Sequence, residues 1–412
     1  MVQKCNAIAA AVLGFDAKVE LFQISYDEQP GDLVSGMVDL NNNGYIATME
    51  REVNPDFPRH HIDFAPPHVY FYTKVFGERK NVECFQDSFN VLQECSDTVV
   101  CGAGIKYDQV KNTMPKHNVF QAPNDGVSRE ALLNHTCNVV VAIAFPPELS
   151  ANYTGDFYVS DKPFPGLLPL AIATVAKDPE WSAFVNWVMQ ALFAAEQHGI
   201  TKDNVDLHYG NKGDGLQLAQ VTAFGEDYKD MFYNAIKAAG NIGNFWGKIN
   251  PATFPRSSIN FPVVGPSSGV MSSWPPGLVE EVGPDPVPYG ILSNVSSRGH
   301  LRCGVRMYEN GSFAVHPSQN NKTESSFYQG MDVDYCRAVA AATFSSGNSV
   351  EFVELKSDEE GFLLLHNSSI DIFAGVAMNL ERNVREPTTG VGFAFSKPYF
   401  YNNTSFFSTS TR

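Results

Sequence analysis

Four stretches of this chain recur, in order, about 331 residues further on. Cys5-Asn-Ala-Ile-Ala-Ala-Ala-Val12 returns as Cys336-Arg-Ala-Val-Ala-Ala-Ala-Thr343, and Val19-Glu-Leu-Phe22 as Val350-Glu-Phe-Val353. Gly44-Tyr-Ile-Ala-Thr-Met-Glu-Arg51 returns as Gly375-Val-Ala-Met-Asn-Leu-Glu-Arg382, and Tyr70-Phe-Tyr72 as Tyr399-Phe-Tyr401. One short match is chance; four collinear matches at a near-constant offset are not. The chain therefore reads as a window on a tandem array. Residues 1–255 are most of one copy, and 290–412 are the opening portion of the next. Between them, 256–289 carries Gly265-Pro-Ser-Ser-Gly269, Trp274-Pro-Pro-Gly277 and Pro284-Asp-Pro-Val-Pro288, the composition of an inter-domain linker.

The second copy contains a strand-like run, Leu301-Arg-Cys-Gly-Val305, ahead of its Ala-rich helix. The first copy begins inside the equivalent helix, so its opening strand is expected to be missing. Leu301–Val305 is one candidate to fill that gap. The apolar run Ala7–Leu13 after Lys4 imitates a signal segment, but the repeat assigns it to a domain helix.

The pattern along the chain alternates between periods of two and of 3.6 residues. Helices are expected over 3–14, 31–35, 128–134, 178–197 and 224–240. Strands are expected over 19–24, 38–41, 68–75, 98–101, 139–144 and 170–175. Alternating strands and helices mean an α/β fold with mostly parallel, buried sheets.

Composition narrows function. Lys+Arg 29 against Asp+Glu 45 gives a net charge of −16, which excludes a phosphate-backbone binder. No run of 18 apolar residues occurs, so no transmembrane segment is expected. Eight Asn-x-Ser/Thr sequons (at 134, 152, 294, 310, 321, 367, 402 and 403) suggest a glycosylated, secreted, eukaryotic surface. Seven cysteines without CxxC or clustered histidines favour disulfides over metal, in an oxidising compartment. His60-His61 lies in a Pro-rich loop and shows no metal pattern. No cofactor motif, phosphate loop or nucleophile elbow is present.

The stretch Gly330-Met-Asp-Val-Asp-Tyr-Cys-Arg-Ala-Val-Ala-Ala-Ala342 resembles the first helix of the general L-amino-acid-binding proteins of ABC importers. These are extracellular solute-binding proteins of family 3. Asp178-Pro-Glu-Trp…Asn204-Val205 and Asn234-Ala-Ile-Lys-Ala-Ala-Gly-Asn-Ile-Gly243 resemble that family's carboxy-terminal helices. The resemblance implies a periplasmic-binding-protein-like type II fold, with two α/β lobes closing on a ligand across two crossing strands. Carried over, lobe 1 is 1–78 plus 168–255 and lobe 2 is 79–167, with crossings near Phe71–Phe76 and Pro169–Val175. The 290–412 segment is then the lobe-1 portion of a second copy, and the whole a fragment of a tandem-repeat eukaryotic version.

The family's ligand motif, Gly-x-Thr-x-Thr-x-x-Arg, ends in an arginine whose planar fork matches a carboxylate. Here Gly44, Thr48 and Arg51 match and Ile46 replaces a threonine. In the second copy Gly375 and Arg382 match, while Ala377 and Asn379 replace the threonines. The family's Ser/Thr-Gly-Thr loop reads Ala103-Gly104-Ile105, keeping only Gly104. Its aspartate for the ligand's α-ammonium falls on Ile143. Half of the recognition set is thus retained.

The resemblance implies a binding module for amino acids or related carboxylates, without chemistry. A degenerate surface module of the same fold is the alternative. A few proteins of this fold are dehydratases, but no acid–base set marks an enzyme here. The implied disulfides are Cys303–Cys336, Cys101–Cys137 and Cys84–Cys95, leaving Cys5 alone. Neighbouring repeats are the expected macromolecular partners.

Overall fold

The computed structural model describes residues 2–14, 16–23, 29–42, 45–52, 62–85, 98–114, 118–144, 150–210, 218, 222–248, 256–261, 291–307, 314, 328–396 and 398–400. The chain divides into two compact units, Met1–Pro284 and Asp285–Arg412. Among the described residues no helix is long and apolar enough to cross a membrane.

In the first unit, the helix Val2–Leu13 buries Lys4, Ala7, Ile8, Ala10 and Ala11, the stripe of a helix with one face inward. It packs on the helices Met231–Ala239 and Pro179–Gln197. The second of these begins where the sequence says it must. The Asp178 carboxylate accepts the Trp181 N–H at 3.0 Å, and Pro179 takes the first helical position.

Among the described residues this unit has eight strands: β1 (Ile62–Phe64), β2 (Val69–Glu78), β3 (Val99–Ala103), β4 (Asn118–Ala122), β5 (Val139–Ala142), β6 (Phe157–Val159), β7 (Phe164–Leu170) and β8 (Ala173–Val175). β1 and β8 pair antiparallel. The larger sheet runs β4-β3-β5-β2-β6, with β7 also on β2. β3 lies parallel to β4 and β5. β5 is buried along its whole length, as a strand covered on both faces must be. β2 has two neighbourhoods: Val69–Thr73 pairs with β7, and Lys74–Gly77 pairs with β5. The Cys101–Cys137 disulfide joins β3 to the approach of β5.

The second unit holds a three-stranded parallel sheet: β9 (Leu301–Arg306), β10 (Val350–Leu355) and β11 (Ile372–Phe373), with β9 central. The helix Met331–Phe344 packs on β9, and the Cys303–Cys336 disulfide links them. Cys84 is disulfide-bonded; its expected partner Cys95 lies outside the described residues. Cys5 is a free thiol.

Several expectations need correction. Val19–Phe22 forms no strand, and Leu21 and Phe22 are 58% and 52% exposed. The like-patterned β10 has β9 to pair with along its whole length; among the described residues Val19–Phe22 has no such neighbour. A strand without a partner leaves its backbone groups to water. β9 does not complete the first unit's sheet, because β10 and β11 occupy both its edges. The single strand expected over 170–175 is divided between β7 and β8 at Ala171–Ile172. The 38–41 segment contributes only a bridge, Asn41 to Ala173.

The segment 256–260, expected to open the linker, is part of the first unit. Arg256 forms a two-pronged pair with Glu196 at 2.5 and 2.8 Å. The Asn260 side chain accepts from the Tyr70 N–H at 2.7 Å and donates to the Tyr70 carbonyl at 2.9 Å. Those bonds satisfy both polar groups of one β2 residue, as a further strand would.

Candidate functional site

Thr48 and Arg51 sit on a short loop sewn to the β7–β8 connection. The Ala47 N–H donates to the Pro169 carbonyl at 2.9 Å, and the Ala171 N–H to the Tyr45 carbonyl at 3.1 Å. Thr48 is buried and caps the turn Met49–Glu52, its hydroxyl accepting the Arg51 N–H at 3.2 Å. This fixes where the arginine leaves the backbone. Its guanidinium then folds back, with Nη1 donating to the Ile46 carbonyl at 2.6 Å. Its Cζ lies 4.3 Å from the Tyr45 ring centroid, a cation–π contact. Gly44 lies outside the described residues.

Gly104 follows β3 with φ of 52° and stands as the residue before the helix Ile105–Thr113. That φ favours glycine. No side chain caps this helix; the Gly104 carbonyl accepts from the Tyr107 N–H at 2.9 Å. The next side chain, Ile105, is buried against Ile46 and Leu168, with Phe71, Ile143 and Leu170 partly buried around them. This cluster gathers one residue from the arginine loop, three from the crossing strands and two from the far side. Of the positions that carry a hydroxyl or carboxylate in the resemblance, 46, 105 and 143 are isoleucines of this one cluster.

Two cations border Ile105 and Ile143. Lys106, next to Ile105, is buried and pairs with Asp125 at 2.8 Å. Arg129 donates to the Ala144 carbonyl, beside Ile143, at 3.1 Å. The Arg129 Nε is buried with no hydrogen-bond partner.

The second unit repeats the arginine geometry. Asn379 caps the helix Leu380–Val384 and accepts the Arg382 N–H at 2.8 Å. Arg382 Nη1 donates to the carbonyl five residues back, Ala377, at 2.9 Å. Its Nη2 pairs with Asp358 at 2.8 Å, a carboxylate that also holds Arg306. This fork faces a carboxylate of its own chain, so Arg382 is structural as it stands here.

Gly375, the other expected contact, is not open to a ligand either. Its N–H donates to the Tyr399 hydroxyl at 2.9 Å, which in turn donates to Asp332 at 2.7 Å. Asp332 is fully buried, and its other oxygen has no partner among the described residues. Burial raises the Asp332 carboxyl above its usual range, partly offset by the Tyr399 bond. A Cβ on Gly375 would stand 2.2 Å from that orphan oxygen, at a backbone φ of +78°. Gly375→Ala is therefore expected to destabilise the second unit by about 2–4 kcal/mol. Hydrogen exchange of the β9 amides is the measurement, with faster exchange expected.

No family model matches the chain. It is 24% identical over 275 residues to the putative amino-acid ABC transporter-binding protein YhdW of Escherichia coli O157:H7, covering 63% of this chain and 78% of that protein. It is 29% identical over 116 residues to the general L-amino acid-binding periplasmic protein AapJ of Rhizobium johnstonii, covering 28% of this chain and 30% of that protein. A solved ABC transporter / periplasmic binding protein from Brucella ovis with glutathione bound is 21% identical, over 62% of this chain and 81% of that one, with a TM-score of 0.46. The chain is thus similar in sequence to binding proteins named for amino-acid ABC transporters.

Proposed function

We propose that residues 1–255 are a clamp-type solute-binding module that takes a carboxylate between its lobes and performs no chemistry. The relatives' names support a small-molecule ligand of the amino-acid class. The observation that carries the reading is Arg51: positioned by Thr48, set over the Tyr45 ring, and following Ile46 of the apolar cluster by five residues. Arg51 is its anchor, Thr48 its positioning residue, and Gly104 the opposing backbone contact.

The test is calorimetry of the full chain against a panel of amino and organic acids. Arg51→Ala is expected to weaken the binding of whichever acids give heat by roughly 30-fold or more, equivalent to about 2 kcal/mol. No heat with any acid, in either form, would sink this reading.

One observation favours a second reading. The cluster of Ile46, Ile105 and Leu168 puts apolar side chains between the arginine loop and the helix after Gly104, and a clamp closed on itself needs no ligand. Under that reading the unit is a surface module that keeps the fold alone.

The wider setting is part of the proposal. The four described sequon asparagines, Asn134, Asn152, Asn294 and Asn367, are all exposed, which supports a glycosylated, extracellular protein. The two units support the repeat by their element order. Helices at Val2–Leu13, Gln29–Ser35 and Met49–Glu52 reappear at Met331–Phe344, Asp358–His366 and Leu380–Val384, near the same offset.

A further inference from the structure

The first unit exposes the surfaces that the second unit wraps around β9. We infer that the first unit takes up a parallel β-strand from another copy of the repeat, and that Cys5 bonds a cysteine on that strand. The second unit shows what the corresponding surfaces do. β9 lies between β10 and β11, parallel to both. The helix Met331–Phe344 covers it with Val333, Cys336, Ala340 and Phe344. At the repeat offset those four residues are Val2, Cys5, Ala9 and Leu13. Spacings of three and four residues keep them on one face of their helix, opposite the inward stripe of Lys4, Ala7, Ile8 and Ala11. Val2 and Leu13 are 47% and 72% exposed, whereas Val333 is buried and Phe344 packs on the core. Cys5 is a half-buried free thiol, whereas Cys336 is buried in its disulfide.

The flanks repeat the contrast. β10 corresponds to Val19–Phe22, which is no strand and turns Leu21 and Phe22 to water. β11 corresponds to Asn41-Asn42. Asn41 bridges to Ala173 of β8, and the Asn42 Nδ2 donates to the Cys5 Sγ at 3.5 Å, so this segment adjoins the helix face. A segment without a ladder beside an exposed apolar stripe is what an added strand covers. Main-chain bonds to Val19–Phe22 pair the incoming strand. Its alternate side chains fall on the helix stripe, as Leu301, Cys303 and Val305 join the helix Met331–Phe344 in one core. A cysteine in the middle of those three meets Cys5, as Cys303 meets Cys336. The Cys5 thiolate attacks a disulfide already carried by the strand's cysteine. The new S–S bond forms as the other thiolate leaves with the electron pair and takes up a proton, so no net oxidation is required. Within this chain β9 has that pattern but is held on both edges, which assigns the donor to another copy.

The test uses the full chain and a synthetic peptide Gly-His-Leu-Arg-Cys-Gly-Val-Arg-Met, the sequence of residues 299–307. Its cysteine is activated as a mixed disulfide with 2-thiopyridine. Release of 2-thiopyridone gives the rate, and non-reducing peptide mapping locates the adduct. The peptide is expected to label Cys5 roughly tenfold or more faster than a scrambled peptide of the same composition, because pairing raises the local concentration of its disulfide. Hydrogen exchange over Val19–Phe22 should slow in the adduct, as a new ladder requires. Equal rates for the two peptides would overturn the inference, since Cys5 would then be an ordinary accessible thiol. An adduct on Cys5 that leaves exchange over Val19–Phe22 unchanged would overturn it too, as would no adduct on Cys5 with either peptide.

Discussion

Lys4→Met is expected to stabilise the first unit by about 3–5 kcal/mol at pH 7. Lys4 falls on the inward stripe of the helix Val2–Leu13, with Ala7, Ile8 and Ala11, and is only 7% exposed. Burial lowers its ammonium from 10.5 to about 7, with Cys5 a smaller opposing influence. Among the described residues no carboxylate pairs with it. His68 lies near enough for Lys4 to depress it further, after burial has already done most of that work. The folded chain thus releases a proton near pH 7 that the unfolded chain keeps to about 10.5. Between those values the unfolded state binds more protons, so stability climbs as pH rises. Methionine keeps the unbranched stem and removes the charge. The gain should be full below pH 7 and fade toward pH 10. All four tryptophans fall within Met1–Pro284, so urea unfolding followed by tryptophan fluorescence reads this unit alone. A variant whose midpoint equals that of the unaltered chain at both pH 6 and pH 10 would show that Lys4 reaches solvent.

That lysine also marks what the sequence could and could not convey. Its place on the stripe is visible in the spacing 4, 7, 8, 11, yet beside a short apolar run it imitates the charged start of a signal segment. The helix Pro179–Gln197 was legible because its cap, its proline and its apolar stripe agree. The helix Ile105–Thr113 was not, because Ile-Lys-Tyr-Asp-Gln-Val-Lys-Asn-Thr shows no helical stripe and buries Lys106 and Gln109 by their stems and polar contacts. β4 was missed because it is an edge strand, mostly exposed and bonded on one side. The segment 19–24 carries a strand's local pattern, but pairing is not a local property. At the site, the motif around Arg51 could be found by its spacing. That Ile46, Ile105 and Ile143 share one cluster could not, since only the crossing of β2 and β7 brings such distant positions together.

Arg256→Ala is expected to cost the first unit about 2–4 kcal/mol, the range for breaking a largely buried ion pair from one side with some allowance for solvent. Its side chain and that of Glu196 are 14% and 17% exposed. Both prongs of the fork bind the carboxylate, while Nε and Nη2 also donate to the Asn260 carbonyl at 3.0 and 2.7 Å. Its plane lies 4.2 Å from the Phe261 ring and 5.6 Å from Trp246. Removing it leaves Glu196 charged and unpaired against the helix Ile242–Trp246, and frees the turn that holds Tyr70. The loss should therefore reach β2 as well as the helices. Replacing both partners, Arg256→Met with Glu196→Met, should recover more than half of the cost, because no orphan charge remains. Urea midpoints read by tryptophan fluorescence give both values, and Arg256→Met and Glu196→Met made singly close a cycle with the double replacement. If Arg256→Ala falls within 0.5 kcal/mol of the unaltered chain, roughly the scatter of an ordinary surface substitution, segment 256–260 rests on the first unit without supporting it. If the double replacement is as unstable as Arg256→Ala alone, the cost belongs to the Asn260 turn and its hold on Tyr70 rather than to the stranded carboxylate.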